Sequence, residues 1–344
     1  MSRRQQQVLN SLAEKLGLDS VPKINGSQLL PPLGKAFEVA KRLNGESVTG
    51  ETPDGMQGDE PRVLPLPDPI IETVFVIAKK FESPQLVDDG RPKAKLFSLT
   101  VSNSTARAAL RRAHLFVHIG STSGLTQDNV RVMLYEINGT KKRLKGNGES
   151  LHVKVRRISG QNWIRLNVRN LVKEWVEVRR KGGIADRHIG VTVTKKHKHE
   201  NLVEESEERQ MPYLELVTAT RPLTPSSKRP KRSIDGGQGQ YGCTGDHSDK
   251  CCLHPMMIDF DKLGGYEWIV APRRYNAGVC FGRCAPNWKR ASTHGAIRDQ
   301  VQLEPPPCCH PTAYSATTMV FSKDTGELIV AEVPGMVAQD CGCA

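Results

Sequence analysis

The first 242 residues contain no cysteine. All nine cysteines of the 344-residue chain fall at 243, 251, 252, 280, 284, 308, 309, 341 and 343. The long N-terminal part can hold nothing by disulfide, so whatever it grips it grips noncovalently. Also missing is any stretch long and apolar enough to cross a bilayer. The opening Met-Ser-Arg-Arg-Gln-Gln-Gln runs straight into an amphipathic pattern, with no apolar h-region and no small-residue cleavage site. The Cys-x2-Cys repeats of common zinc ribbons are absent, which speaks against a structural metal site, and no cofactor is expected.

The chain is 38% hydrophobic and 25% charged, which suits a folded protein long enough for two domains. Its formal charge of +12 suggests nucleic acid until the charge is divided. From Ser233 onward there are nine Lys and Arg against twelve Asp and Glu, and before it 40 against 25. A basic first part and a mildly acidic second part are compatible with attraction between the two. A solvated charged surface with no particular partner fits equally.

Cysteine spacing then carries the reading. Cys280-Phe-Gly-Arg-Cys284 and Cys341-Gly-Cys343 close a ring of eight residues if 280 pairs with 341 and 284 with 343. Such a ring is just wide enough to pass another disulfide, and Gly282 keeps a side chain out of the hole. The vicinal pairs Cys251-Cys252 and Cys308-Cys309 supply the thread, since neighbours bridge each other poorly. Nine is odd, so one thiol is left for a bond to another chain in an oxidising compartment. Spacing alone leaves the full connectivity open. Cys309-His310 offers a thiol beside a base, but adjacent cysteines favour bridging, and no enzyme is expected.

These residues resemble the transforming growth factor β superfamily, in its nine-cysteine branch with myostatin and the activins. The resemblance covers Cys243 to Ala344 and includes Cys-Cys252, Asp259-Phe260, Trp268-Ile-Val-Ala-Pro-Arg-Arg-Tyr275, Cys280-Phe-Gly-Arg-Cys284, Cys-Cys309, Val333-Pro-Gly-Met-Val337 and the Cys-Gly-Cys343-Ala344 ending. It implies bonds Cys243–Cys252, Cys251–Cys309, Cys280–Cys341 and Cys284–Cys343, with Cys308 joining two subunits of a homodimer. It also implies a concave wrist with Tyr266 and Trp268 for a type I serine/threonine kinase receptor. A convex knuckle with Ala331, Val333 and Met336 would meet a type II receptor. Tyr266 stands where relatives often have tryptophan, Gly264 looks inserted, and Ala285 to Pro307 is shorter than in close relatives.

Taken in order, Val8, Leu9, Leu12 and Leu16 recur at helical spacing and Gly17 follows as a stop. So narrow a stripe is not stable alone. It resembles the first helix of the family's propeptides, where Leu9, Leu12 and Leu16 would cover an apolar groove near Trp268. From Asn25 to Pro69 the chain reads as an extended connector with one helix at Ala36 to Leu43. Half-buried strands are expected at Ile70 to Ala78, Leu96 to Val101, His114 to Ile119, Val130 to Ile137, Leu151 to Val155 and Gly190 to Val193. A helix is expected at Asn170 to Val178. Trp163, Leu171, Val172 and Trp175 resemble a tryptophan-helix-tryptophan element of the family's propeptides. Asn25, Asn103 and Asn138 head glycosylation sequons. There is no Arg-Gly-Asp, only Asp89-Gly-Arg91, so activation through that motif is not expected.

Between the parts, Lys228-Arg-Pro-Lys-Arg232 offers Arg229, Lys231 and Arg232 to a furin-type convertase cutting before Ser233, amid turn-forming residues that keep it exposed. The same basic run would serve nuclear import; its position, dividing a cysteine-free part from the knot, favours cleavage. The expected fold is mostly β. A propeptide with an N-terminal amphipathic helix and linker (1–69) and a β-rich arm (70–220) is joined by 221–242 to a cystine-knot growth factor domain (243–344). That domain would have two β-hairpin fingers, turning near Gly264-Gly265 and at Lys323 to Gly326, plus one helix between Cys284 and Cys308. The expected function is a secreted growth factor precursor whose dimer brings type I and type II receptors together for Smad signalling, with neither nucleic acid nor membrane insertion. Disulfides need an oxidising compartment, so an export signal is expected to have been lost from this sequence. The alternatives are a secreted cystine-knot antagonist and an intracellular metal-binding protein with a nuclear signal.

Overall fold

The computed structural model describes residues 3–16, 18, 20–23, 33–46, 70–82, 93–120, 129–138, 141–147, 153–158, 161–183, 186–195, 200–205, 207–220, 250–284 and 308–343. Helices α1 (Arg3–Lys15) and α2 (Leu33–Glu46) precede β1 (Ile70–Ile77), β2 (Lys79–Lys80) and β3 (Lys95–Thr100). A short α3 (Asn103–Arg107) leads into β4 (Ala109–Ile119), β5 (Val130–Asn138), β6 (Lys141–Asn147), β7 (Val153–Ile158) and β8 (Gln161–Asn167). Then come α4 (Arg169–Arg180), β9 (Asp186–Lys195) and β10 (Tyr213–Thr220). The cysteine-rich part supplies β11 (Cys252–His254), β12 (Met257–Asp259), β13 (Ile269–Ala271), β14 (Arg274–Asn276), β15 (Val279–Phe281), β16 (Cys309–Ser322) and β17 (Glu327–Cys343).

The two parts share one sheet. Its order is β13-β16-β17-β1-β10-β4-β8-β7, so β1 joins the cysteine-rich hairpin to the arm. Glu72 to Val76 pair antiparallel with Ala331 to Glu327 on one side of β1, and Ile70 to Ile77 pair with Thr220 to Tyr213 on the other. A second sheet, β2-β3-β9-β5-β6, faces the first. Leu115, Val117, Ile164 and Leu166 from one sheet and Phe97, Leu99, Val132 and Val191 from the other enter one apolar core, closed by Leu171, Val172, Trp175 and Val176 of α4. Period-2 alternation sends every second side chain of each strand inward.

The expectation of half-buried strands fails at β1, where Thr73, Val74, Phe75 and Val76 are all buried. Val74 and Val76 enter the inter-sheet core, while Phe75 joins a second cluster on the outer face with Phe116, Trp163, Tyr213 and the α2 residues Ala36 and Val39. Tyr213 stacks on Phe116 at 4.8 Å, and burial pushes its hydroxyl pKa far up. The segment taken for a mostly extended connector therefore contributes a 14-residue helix that roofs the sheet.

Candidate functional site

The cysteine-rich part is built outward from three disulfides. Cys251 is bonded to Cys309, Cys280 to Cys341 and Cys284 to Cys343, with Cα–Cα distances of 5.3, 5.7 and 5.7 Å. The last two close the eight-residue ring. The sulfurs of Cys251, Cys284 and Cys343 lie within 4.8 Å of one another, so the threading bond runs against one wall of that ring. These sulfurs are committed to disulfides and are not thiolates for a metal ion. Each bond closes 58 to 61 residues, worth about 4 kcal/mol each by loop entropy.

Gly282 has φ +124°, and a Cβ there would sit 1.9 Å from the Lys250 carbonyl oxygen and 2.9 Å from the Cys251 nitrogen. The backbone that feeds the thread, rather than the threading sulfurs, is what excludes a side chain. The Cys251 N–H then donates to the Arg283 carbonyl at 3.0 Å, fastening the thread to the ring. Cys252 is disulfide-bonded as well. Its expected partner Cys243 lies outside the described residues, as do Asn25, the basic stretch with Arg229, Lys231, Arg232 and Ser233, and the segment expected to hold the helix before Cys308. Cys308 is exposed.

Two hairpins leave the knot. The first pairs β11 with β15 and β12 with β14, and its tip is held by Arg273, which reaches Asp261 at 2.8 Å and the carbonyls of Tyr266 and Ile269. The indole N–H of Trp268 donates to the Gly265 carbonyl at 3.0 Å. The second hairpin, β16 with β17, runs from the tip into the knot, where Cys309 opposes Cys343, with irregular register between Pro311 and Thr317. It is longer than the expected span of Thr312 to Val337.

The pairing of β16 with β17 and β13 positions the receptor candidates. Ala331 lies directly opposite Met319 and Val333 opposite Thr317, while Ile329 opposes Phe321, which opposes Ile269. Directly opposed residues share a face, and Trp268 meets Phe321 edge-on at 6.2 Å. Tyr266 and Met336 pack half-buried against the same cluster. Trp268, Ala331 and Val333 are thus buried in one cluster, with Tyr266 and Met336 packed against it. Val270, Val320, Leu328 and Val330 belong to a second cluster, and none of them was expected as a site residue, although the alternation of Leu328 and Val330 with Ile329 and Ala331 was visible.

Ala13, Leu16 and Leu18 are buried in the extended core cluster that also holds Trp268 and the inter-sheet residues of the arm, with Leu12 half-buried against it and Leu9 buried. Ala36 and Val39 of α2 belong to the second cluster, with Ala40 and Leu43 beside them. Asn103 is exposed at the start of α3, and Asn138 ends β5.

Glu72, opposite Ala331 in the shared sheet, has its pKa raised by burial and by the Glu327 charge, against the lowering influence of Lys323. Between the ordinary carboxylate value and that raised value the folded chain binds more protons than the unfolded one. Stability therefore falls as pH rises through this window. Glu72→Gln is expected to raise the melting temperature near pH 7.5 by roughly 1–3 °C and to flatten its pH dependence. Thermal unfolding of both proteins at pH 5 and 7.5 checks this; an equal pH dependence in the two would remove Glu72 from the account.

A disulfide-knotted part thus extends two hairpins whose apolar residues pack into clusters shared with the N-terminal part. Residues 250–343 match the family model described as transforming growth factor beta like domain. With the nine cysteines, that match makes the C-terminal part a growth factor domain of the TGF-β superfamily.

Proposed function

We propose that the chain is the precursor of a secreted, disulfide-linked dimeric ligand that assembles type I and type II receptor serine/threonine kinases and signals through Smads. The observation that carries this reading is that the three knot bonds close wholly within residues 251–343, whereas the N-terminal part holds the hairpins only by noncovalent contacts. A cut after Arg232, in the Arg229-x-Lys231-Arg232 site before Ser233, leaves that scaffold intact. The N-terminal part then acts as a propeptide that shields both faces until it dissociates.

The Trp268 face, with Tyr266, Ala331, Val333 and Met336, is assigned to the type I receptor. The second receptor falls to the opposite face, Val270, Val320, Leu328 and Val330. Exposed Cys308 is assigned to the bond with its counterpart in a second copy, and Asn103 and Asn138 to glycan attachment. Two copies of each face on one rigid dimer raise the effective concentration of receptors for one another.

The test is expression in secretory cells behind a supplied export signal, with medium run on reducing and non-reducing gels. A fragment of the mass of 233–344 is expected to double in mass without reductant. Cys308→Ser should abolish the doubling, and Arg232→Ala should abolish the fragment. An uncut, monomeric, folded product would overturn the reading.

A further inference from the structure

The tip of the second hairpin carries charges that its apolar faces do not account for. Lys323 to Glu327 make a tight turn in which the Lys323 N–H donates to the Glu327 carbonyl at 2.8 Å and the Gly326 N–H to the Lys323 carbonyl at 2.9 Å. A hairpin tip ordinarily leaves such side chains in water. Here Glu327 is 0% exposed and Lys323 8%.

Burying a carboxylate is unfavourable unless donors surround it, and the N-terminal part provides them. The Ser102 backbone N–H donates to one Glu327 oxygen at 2.8 Å. The hydroxyls of Ser102 and Thr105 donate to the other at 2.6 and 3.0 Å. Lys323 lies 3.6 Å from the same oxygen and donates to the Ser104 hydroxyl at 2.7 Å. On the outer side Asp324 accepts from the Ser20 hydroxyl at 3.2 Å and the Lys23 backbone N–H at 2.8 Å. Each charged residue of the tip is thus met by the N-terminal part. The cradle is itself anchored, because Arg180 of α4 donates to the carbonyls of Ala106 and Ala108 at 2.6 and 2.7 Å.

We propose that this tip is the address by which the N-terminal part recognises its own growth factor domain, with Glu327 the specificity-determining residue. Apolar faces accept any apolar surface of suitable shape. A buried cradle of donors instead rejects a hairpin whose tip lacks the carboxylate, because its N–H and hydroxyl groups would be left unpaired. The partner class is a β-hairpin with a Lys-Asp-x-x-Glu tip. The proposal rests on the reading that the N-terminal part stays as a noncovalent partner after cleavage.

The test uses the uncut full chain and amide hydrogen exchange over Glu327–Ala331, the stretch paired with β1. Ser102→Ala with Thr105→Val, and separately Glu327→Gln, should speed exchange there at least about tenfold, with β11 and β15 unchanged. Thr105→Ser, which keeps the hydroxyl, should behave as wild type. Asn103→Gln should too, and it controls for loss of the sequon. After convertase treatment the same loss variants should release the 233–344 fragment at least about tenfold faster. Unaltered exchange in both loss variants would overturn the proposal. Absence of the fragment from every sample would instead count against processing, and the exchange result would stand by itself.

Discussion

Gly282→Ala is expected to abolish the knotted product, with secreted disulfide-bonded material falling at least about tenfold. An alanine Cβ would lie 1.9 Å from the Lys250 oxygen and 2.4 Å from the Lys250 carbon, both backbone atoms, at a φ of +124° that side chains rarely adopt. A flexible side chain could move aside, but this backbone leads into Cys251 and is fixed two ways, by its bond to Cys309 and by its hydrogen bond to Arg283. If the thread cannot pass, bonds worth about 4 kcal/mol each are at stake, against a total stability of about 5–15 kcal/mol for a typical domain. Gly264 supplies the control, since nothing lies within 4 Å of a Cβ built there. Gly264→Ala should be secreted normally. The non-reducing gel reads both variants, and wild-type yield from Gly282→Ala would contradict the knot as described.

Leu16→Ala is expected to uncover one face and leave the other closed. Leu16 is buried in the cluster that holds Trp268, and truncating a buried leucine costs about 2–5 kcal/mol. Even the low end raises the undocked population of α1 roughly thirtyfold. The complex should not fall apart, because β1 remains paired with β17, α2 remains on Val320, Leu328 and Val330, and the charged tip remains in its cradle. Type I receptor ectodomain should therefore bind the cleaved variant complex at least about tenfold better than the wild-type complex, with type II binding little changed. Val39→Asp should do the converse. Equal gains for both receptors in either variant would mean that the two faces open together.

The knot was legible because its determinants are local in sequence: two short cysteine segments, two vicinal pairs and one glycine. Strands of alternating or β-branched residues, such as Ile70–Ile77 and Val130–Asn138, were legible as well. Four strands of the arm were passed over, the two-residue Lys79–Lys80 among them. Gln161–Asn167 was read only as part of a tryptophan element, Lys141–Asn147 is too polar to signal a strand, and Tyr213–Thr220 is buried on both faces, so alternation does not mark it. Which residues of the hairpin share a face was not legible, for a different reason. Whether Ala331 lies with Trp268 depends on the register of β16 against β17 and β13, which no single strand contains. Glu327 was least legible of all. In sequence it is an ordinary hairpin charge, and only pairing with Ser102, 225 positions away, makes it a buried one. That contact exists because β1 carries the hairpin into the arm's own sheet.

The measurement that bears most directly on the whole account is receptor binding before and after release. Type I and type II receptor ectodomains would be passed over the immobilised uncut chain and over the purified 233–344 dimer. Both ectodomains are expected to bind the dimer, and at least about tenfold more weakly the uncut chain, whose N-terminal part shares the clusters of Trp268 and of Val330. Equal binding to both forms would contradict the shielding, and binding to neither would contradict the ligand itself.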